Sequence, residues 1–122
     1  MNIEHVGIYA NDSAELSGWY ADVLQMTEIR RIEKEGRPPV VFLQGEAGAV
    51  VEILPTDAGP VERDLSCPGF THLGIAVDDL DAEQARLAGF GVEMWGIRAT
   101  SNGWRIGYFR DPEGNVLELI QR

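Results

Sequence analysis

Ten residues near the start of the chain, IEHVGIYAND at 3–12, recur as FTHLGIAVDD at 70–79, which aligns His5 with His72, Gly7 with Gly74, Ile8 with Ile75 and Asp12 with Asp79. A second pair of segments repeats at nearly the same spacing. VVEIL around Glu52 matches VLELI around Glu118, 66 residues apart against 67 for the first pair. A chain of 122 residues organised in this way is constrained to fold as two copies of one supersecondary unit. We read it as a single domain, 1–122, with a first module at about 1–54, a linker at about 55–69 and a second module at about 70–122. The linker, PTDAGPVERDLSCPG, is rich in Pro, Gly and Asp.

Both modules have the grammar βαβββ. In the first, a strand near 2–9 leads to a helix that Asp12 caps, with Glu15 completing an acidic capping box. Leu16, Trp19, Tyr20, Val23 and Leu24 form that helix's apolar stripe. Strands at about 27–34, 39–44 and 48–54 follow, separated by EGRPP and GEAG. In the second module a strand near 70–77 precedes a helix over 80–88 that Gly89 terminates. Strands near 91–98, 103–110 and 115–121 complete it, the last two joined by the turn DPEGN. The expected class is α+β.

Residues two apart on a strand share a face. Val6 and Ile8 therefore oppose His5, Gly7 and Tyr9, and Leu73, Ile75 and Val77 oppose His72, Gly74 and Ala76. The aliphatic faces should pack on the helices, leaving both histidines on the opposite face of the sheet. Glu52 points away from Val51 and Ile53, and Glu118 away from Leu117 and Leu119. An ionised carboxylate in such a setting must face water, pair with a cation or bind a metal, because burying it alone costs several kcal/mol. Pairing with Arg98 or Arg105 would satisfy the two glutamates. It would leave unexplained why the chain's two histidines recur in register with them.

Composition narrows the partners. With 20 acidic against 10 basic residues the formal charge is −10, which repels phosphate backbones, and the densest basic segment, IRRIEKEGR, is interleaved with acids. Nucleic acid is thus not an expected partner. No apolar run approaches the roughly 20 residues of a membrane span, and the N-terminus lacks a basic region followed by an apolar one, so a cytoplasmic location is expected. The one cysteine, Cys67, has no partner for a disulfide or a thiolate site and is read as incidental.

The segments EHVGIYAND, VVEIL, FTHLGIAVDD and FRDPEGNVLELI resemble the vicinal oxygen chelate superfamily of glyoxalases, bleomycin-resistance proteins and dioxygenases, over essentially the whole chain. The resemblance implies paired βαβββ modules whose mixed sheets form a U-shaped cleft, with His5, Glu52, His72 and Glu118 as metal ligands. Two imidazoles and two carboxylates without thiolate suit one divalent ion per site, such as Zn, Ni, Co, Mn or Fe(II). The His-Glu-His-Glu set is most similar to glyoxalase I, a lyase that moves a proton beside a chelated carbonyl or hydroxyl. It implies Glu118, with Glu52 as the alternative, as the base.

Other branches of the superfamily fit less closely. Epimerases of acyl-thioesters commonly have Gln at the position of Glu52, and extradiol dioxygenases need a further acid–base His. A non-catalytic binder of small molecules, of the antibiotic-binding type, is the alternative class. Glutathione-dependent relatives place an Arg four residues after the first His, where this chain has Tyr9, and a Gly where it has Gln25. A small hydroxycarbonyl substrate is therefore expected. Trp104, Ile106 and Tyr108 share a strand face, which the resemblance implies looks into the cleft, so Trp104 and Tyr108 are substrate-binding candidates together with Tyr9, and Arg98 is a candidate for an anionic substrate group. Relatives of this length pair, so a homodimer is expected.

Overall fold

Each half of the repeat builds one four-stranded mixed sheet with a single helix, in a computed structural model that describes Met1–Arg122. The chain divides into two compact units, Met1–Val61 and Glu62–Arg122. The first contains β1 (His5–Ala10), α1 (Ser13–Asp22), β2 (Thr27–Ile32), β3 (Val40–Gln44) and β4 (Val50–Pro55). The second contains β5 (Leu73–Ala76), α2 (Leu80–Gly89), β6 (Trp95–Ala99), β7 (Arg105–Arg110) and β8 (Val116–Gln121). The strand orders are β1-β4-β3-β2 and β5-β8-β7-β6, and in each sheet the first pair is parallel and the others antiparallel. The expected α+β class with two βαβββ modules is the observed one.

Strand alternation separates the two faces as the sequence implies. Val51 and Ile53 on β4, and Leu117 and Leu119 on β8, are buried. The glutamate between each pair is partly exposed. In the first unit the buried stripe Leu16, Tyr20 and Val23 on and just after α1 joins Val41, Leu43, Val51 and Ile53. Trp19 and Leu24 are only half-buried. Asp12 caps α1 by accepting from the Glu15 N–H at 2.9 Å, and Asp79 caps α2 by accepting from Ala82 at 3.0 Å. Two buried serines on α1 escaped the apolar reading. Ser13 Oγ donates to the Pro39 carbonyl at 2.6 Å, tying the helix to the start of β3, and Ser17 Oγ donates to Ala14 O at 3.0 Å.

Several boundaries differ from expectation. β1 starts at His5 rather than residue 2, and β5 is limited to Leu73–Ala76, so His72 lies just ahead of its strand. Helix α2 is ended by Gly91, not Gly89. Gly91 takes the left-handed φ of 76°, its N–H donates to Ala88 O at 2.9 Å, and the Val92 N–H donates to Leu87 O at 3.0 Å. These residues are used in the helix stop, which is why β6 begins at Trp95 rather than 91. No helix is long and apolar enough to cross a membrane.

Candidate metal and substrate site

The strand register accounts for the position of both histidines. On the parallel pair β1–β4, Gly7 lies beside Glu52; on β5–β8, Gly74 lies beside Glu118. His5 and His72 are each two residues before that glycine, so imidazole and carboxylate emerge from neighbouring strands on one face, diagonally opposed. His5 Nε2 is 3.5 Å from Glu52 Oε2, and His72 Nε2 is 3.2 Å from Glu118 Oε2. Arg105, which might have satisfied a glutamate, is instead committed to Asp81, with contacts of 2.9 Å.

The second ring nitrogen of each histidine is also engaged. His5 Nδ1 hydrogen-bonds the Glu4 carboxylate, and Thr71 Oγ1 lies 2.8 Å from His72 Nδ1. An ionised carboxylate only accepts, so His5 Nδ1 carries the proton, and in the neutral ring Nε2 presents its lone pair toward Glu52. The same Glu4 hydrogen bond holds the His5 pKa above its ordinary value, with the charges of Glu4 and Glu52 acting in the same direction. An imidazole oriented through one nitrogen by an oxygen partner is the usual setting of a metal-ligating histidine.

The donor chemistry fits a divalent ion. Two donors about 2.1 Å from one ion at an angle of about 90–110° stand about 3.0–3.4 Å apart, close to both observed Nε2–Oε2 separations. Each unit thus offers a pair of adjacent ligand atoms. No group of three or more His, Cys, Asp or Glu residues is positioned to hold an ion.

The pairs continue into rows across their sheets. In the second unit Glu118 is in register with Tyr108 on β7, and Tyr108 with Trp95 on β6. The His72 ring meets Tyr108 edge-on at 5.5 Å between centroids, and Trp95 lies 6.1 Å from Tyr108. In the first unit Glu52 is in register with Phe42 and Phe42 with Arg30, whose guanidinium lies 5.8 Å over the ring. Phe42, Arg30 and Trp95 were not singled out from the sequence. Applying the 66-residue spacing of the glutamates to Tyr108 would have found Phe42.

Of the other candidates, Tyr9 is exposed on the His5 side of β1, and Arg98 is exposed on β6 in register with Ile106. Trp104 precedes β7, and its ring is covered by the Arg122 guanidinium at 4.4 Å. Ile106 is buried. Cys67 is exposed, its thiol directed at Asp64, ahead of β5 in the second unit, at 3.4 Å.

Residues 2–119 match the model of the Glyoxalase/Bleomycin resistance protein/Dioxygenase superfamily. The chain is 30% identical to the uncharacterized protein YaeR of Escherichia coli, over 98% of this chain and 95% of that one. It is also 30% identical to a probable lactoylglutathione lyase of Vibrio parahaemolyticus, over 98% and 89%. Among solved structures, SMU.1112c superimposes with a TM-score of 0.82 at 26% identity, covering 99% of this chain and 98% of that one. TnmS3, an antibiotic-binding protein from a Streptomyces species, does so with a TM-score of 0.76 at 23% identity, covering 99% and 95%. The chain belongs to the Glyoxalase/Bleomycin resistance protein/Dioxygenase superfamily, the vicinal oxygen chelate proteins.

Proposed function

We propose that the protein is a divalent-metal-dependent lyase or isomerase of the glyoxalase type, which moves a proton on a small hydroxycarbonyl compound and works as a cytoplasmic homodimer. The observation that carries this reading is the repeated pair of an oriented imidazole and a carboxylate at ligand spacing. His5, Glu52, His72 and Glu118 are assigned to one ion per site by donor chemistry and family. When bound, that ion (Zn, Ni, Co, Mn or Fe(II)) supplies Lewis acidity that polarises substrate oxygens and acidifies the adjacent C–H.

Glu118 is assigned as the base that takes the carbon-bound proton and returns it to the neighbouring carbon. Its side chain is the less exposed of the two, 13% against 20% for Glu52, and family resemblance supports the same choice. Glu52 is the alternative base. Tyr108, in register with Glu118, is assigned to donate its phenol proton to a substrate oxygen, and Trp104, Tyr9 and Arg98 remain assigned to substrate contact. Tyr9 in place of a glutathione-clamping Arg favours a small substrate over a glutathione adduct.

Non-catalytic small-molecule binding is the second reading, supported by the likeness to TnmS3 and by the aromatic pair Tyr108–Trp95 beside the histidine. An epimerase of acyl-thioesters is a third outcome of the same test. Metal analysis of purified protein, followed by a deuterium-exchange screen of hydroxycarbonyls and acyl-thioesters, separates the three. Enzymatic function predicts stoichiometric metal, solvent exchange at one substrate carbon, and loss of most exchange with retained metal in Glu118→Gln. Full metal in a His5→Ala/His72→Ala variant refutes the ligand set, and binding without exchange turns the assignment to a binder.

A further inference from the structure

Strict alternation along β2 would place Arg30 on the helix-packed side of its sheet. Thr27 pairs with Gln44 and Glu28 with Leu43, so an unbroken ladder would set Ile29 opposite Phe42 and Arg30 opposite buried Val41. The register instead shifts between Glu28 and Arg30. Ile29 is the extra residue, and Arg30 lands opposite Phe42. A bulge of this kind turns every following side chain to the other face. Here it turns a guanidinium onto the face that carries His5 and Glu52, since Phe42 is itself in register with Glu52.

The consequence for charge is specific to this arginine. Its neighbour Arg31, on the opposite face, is taken up by Glu28 at 2.7 Å and by Glu33 at 3.6 Å. Arg30 has the Phe42 ring as its partner and no carboxylate. A ring face takes none of the guanidinium's N–H bonds, so the fork retains its capacity to donate to an incoming group. In a chain of net charge −10, an anionic ligand gains little from the overall field and depends on a local cation.

We infer that Arg30 is a specificity-determining residue that binds an oxyanion, carboxylate or phosphate, at the far end of a substrate held at the His5–Glu52 pair, so that the substrate class is an anionic hydroxycarbonyl. Two strand spacings separate Arg30 from Glu52, about 10 Å between backbones, a span that a compound of a few carbons and an extended arginine bridge together. The inference rests on the proposed reading of His5 and Glu52 as the substrate-binding pair.

The test compares dihydroxyacetone phosphate with dihydroxyacetone, a hydroxyketone with and without an oxyanion. Affinities are measured by titration calorimetry on manganese-loaded protein at fixed ionic strength. The wild type should bind the phosphate compound at least about tenfold more tightly, as a charge-assisted arginine contact implies. Arg30→Ala should bring the ratio of the two affinities close to one, and Arg30→Lys should restore part of it. Arg31→Ala removes the same charge one residue away on the other face and should preserve the ratio. An unchanged ratio in Arg30→Ala, an equal loss in Arg31→Ala, or no preference in the wild type would each overturn the inference. Proton exchange is scored separately on the same samples, so a preference that depends on Arg30 without exchange would reject the enzyme and keep the anion site.

Discussion

The hairpin that delivers Glu118 to its place depends on one buried carboxylate. Asp111 is 5% exposed at the start of the turn between β7 and β8, and its Oδ1 accepts from the N–H groups of Glu113 at 3.0 Å and Asn115 at 2.9 Å. Its Oδ2 accepts from Asn115 Nδ2 at 2.9 Å. The turn sets the pairing of Arg110 with Val116, and through it that of Tyr108 with Glu118. A one-residue slip would put Glu118 on the helix side. Asp111→Ala removes all three of these bonds. Each bond to a charged acceptor contributes about 1.5–3 kcal/mol, but bonds within one turn are not additive and the freed donors regain some water, so the expected loss is about 2–3 kcal/mol. Asp111→Asn keeps Oδ1 for the two backbone donors and sets an amide NH2 against Asn115 Nδ2, so about 1 kcal/mol is expected. Urea unfolding of chelator-treated protein measures both without a metal-linkage contribution. A loss below about 0.5 kcal/mol in Asp111→Ala, or equal losses in the two variants, would refute the reasoning.

Three further outcomes follow from other parts of the chain. Gln25 has a φ of 56° just after α1, a conformation that costs a non-glycine residue about 1 kcal/mol, so Gln25→Gly should raise the urea midpoint or leave it unchanged, and a clear drop would contradict the backbone argument. The Arg105 guanidinium bonded to Asp81 holds that carboxyl below its ordinary value of 3.8. The resulting stability is present above the unfolded-state value and is lost as pH falls through the folded one, so Asp81→Asn should destabilise near neutrality and converge on the wild type in acid. Light scattering at micromolar concentration and physiological salt should give twice the mass of the 13.5 kDa chain, and a monomeric mass would reject the homodimer.

The histidine–glutamate pairs were legible because two independent regularities agree on them. The repeat gives the equivalence of His5 with His72, and alternation gives the face of Glu52 and Glu118; neither depends on long-range packing. The module grammar was legible for the same reason. What remained hidden is set by departures from regularity. The bulge at Ile29 reverses the parity of β2, so no period-two count finds Arg30 beside Phe42. Gly89 and Gly91 are equally good helix stops by composition, and the choice between them is made by the bonds that Gly91 and Val92 return to Ala88 and Leu87. Gln25 takes a left-handed backbone after the first helix, a conformation that glycine adopts without cost, which gives a physical reason for the glycine common there in the family.

The two modules keep the same ligand types and differ in what touches them. His5 is backed by an ionised carboxylate, Glu4, and His72 by a neutral hydroxyl, Thr71. A carboxylate behind an imidazole makes its other nitrogen the better donor, so on the proposed reading His5 is the stronger anchor for the ion. In the row from Glu52 stand Phe42 and then Arg30, the cation inferred to take a charged group of the substrate. In the row from Glu118 stand the Tyr108 and then the Trp95 ring, and that carboxylate is the less exposed of the two. On the proposed reading, holding an ion and a charged end of the substrate falls to the first module, and moving the proton falls to the second. That division would arise in residues next to the ligands, which is why a sequence repeat that matches ligand to ligand leaves the identity of the base open.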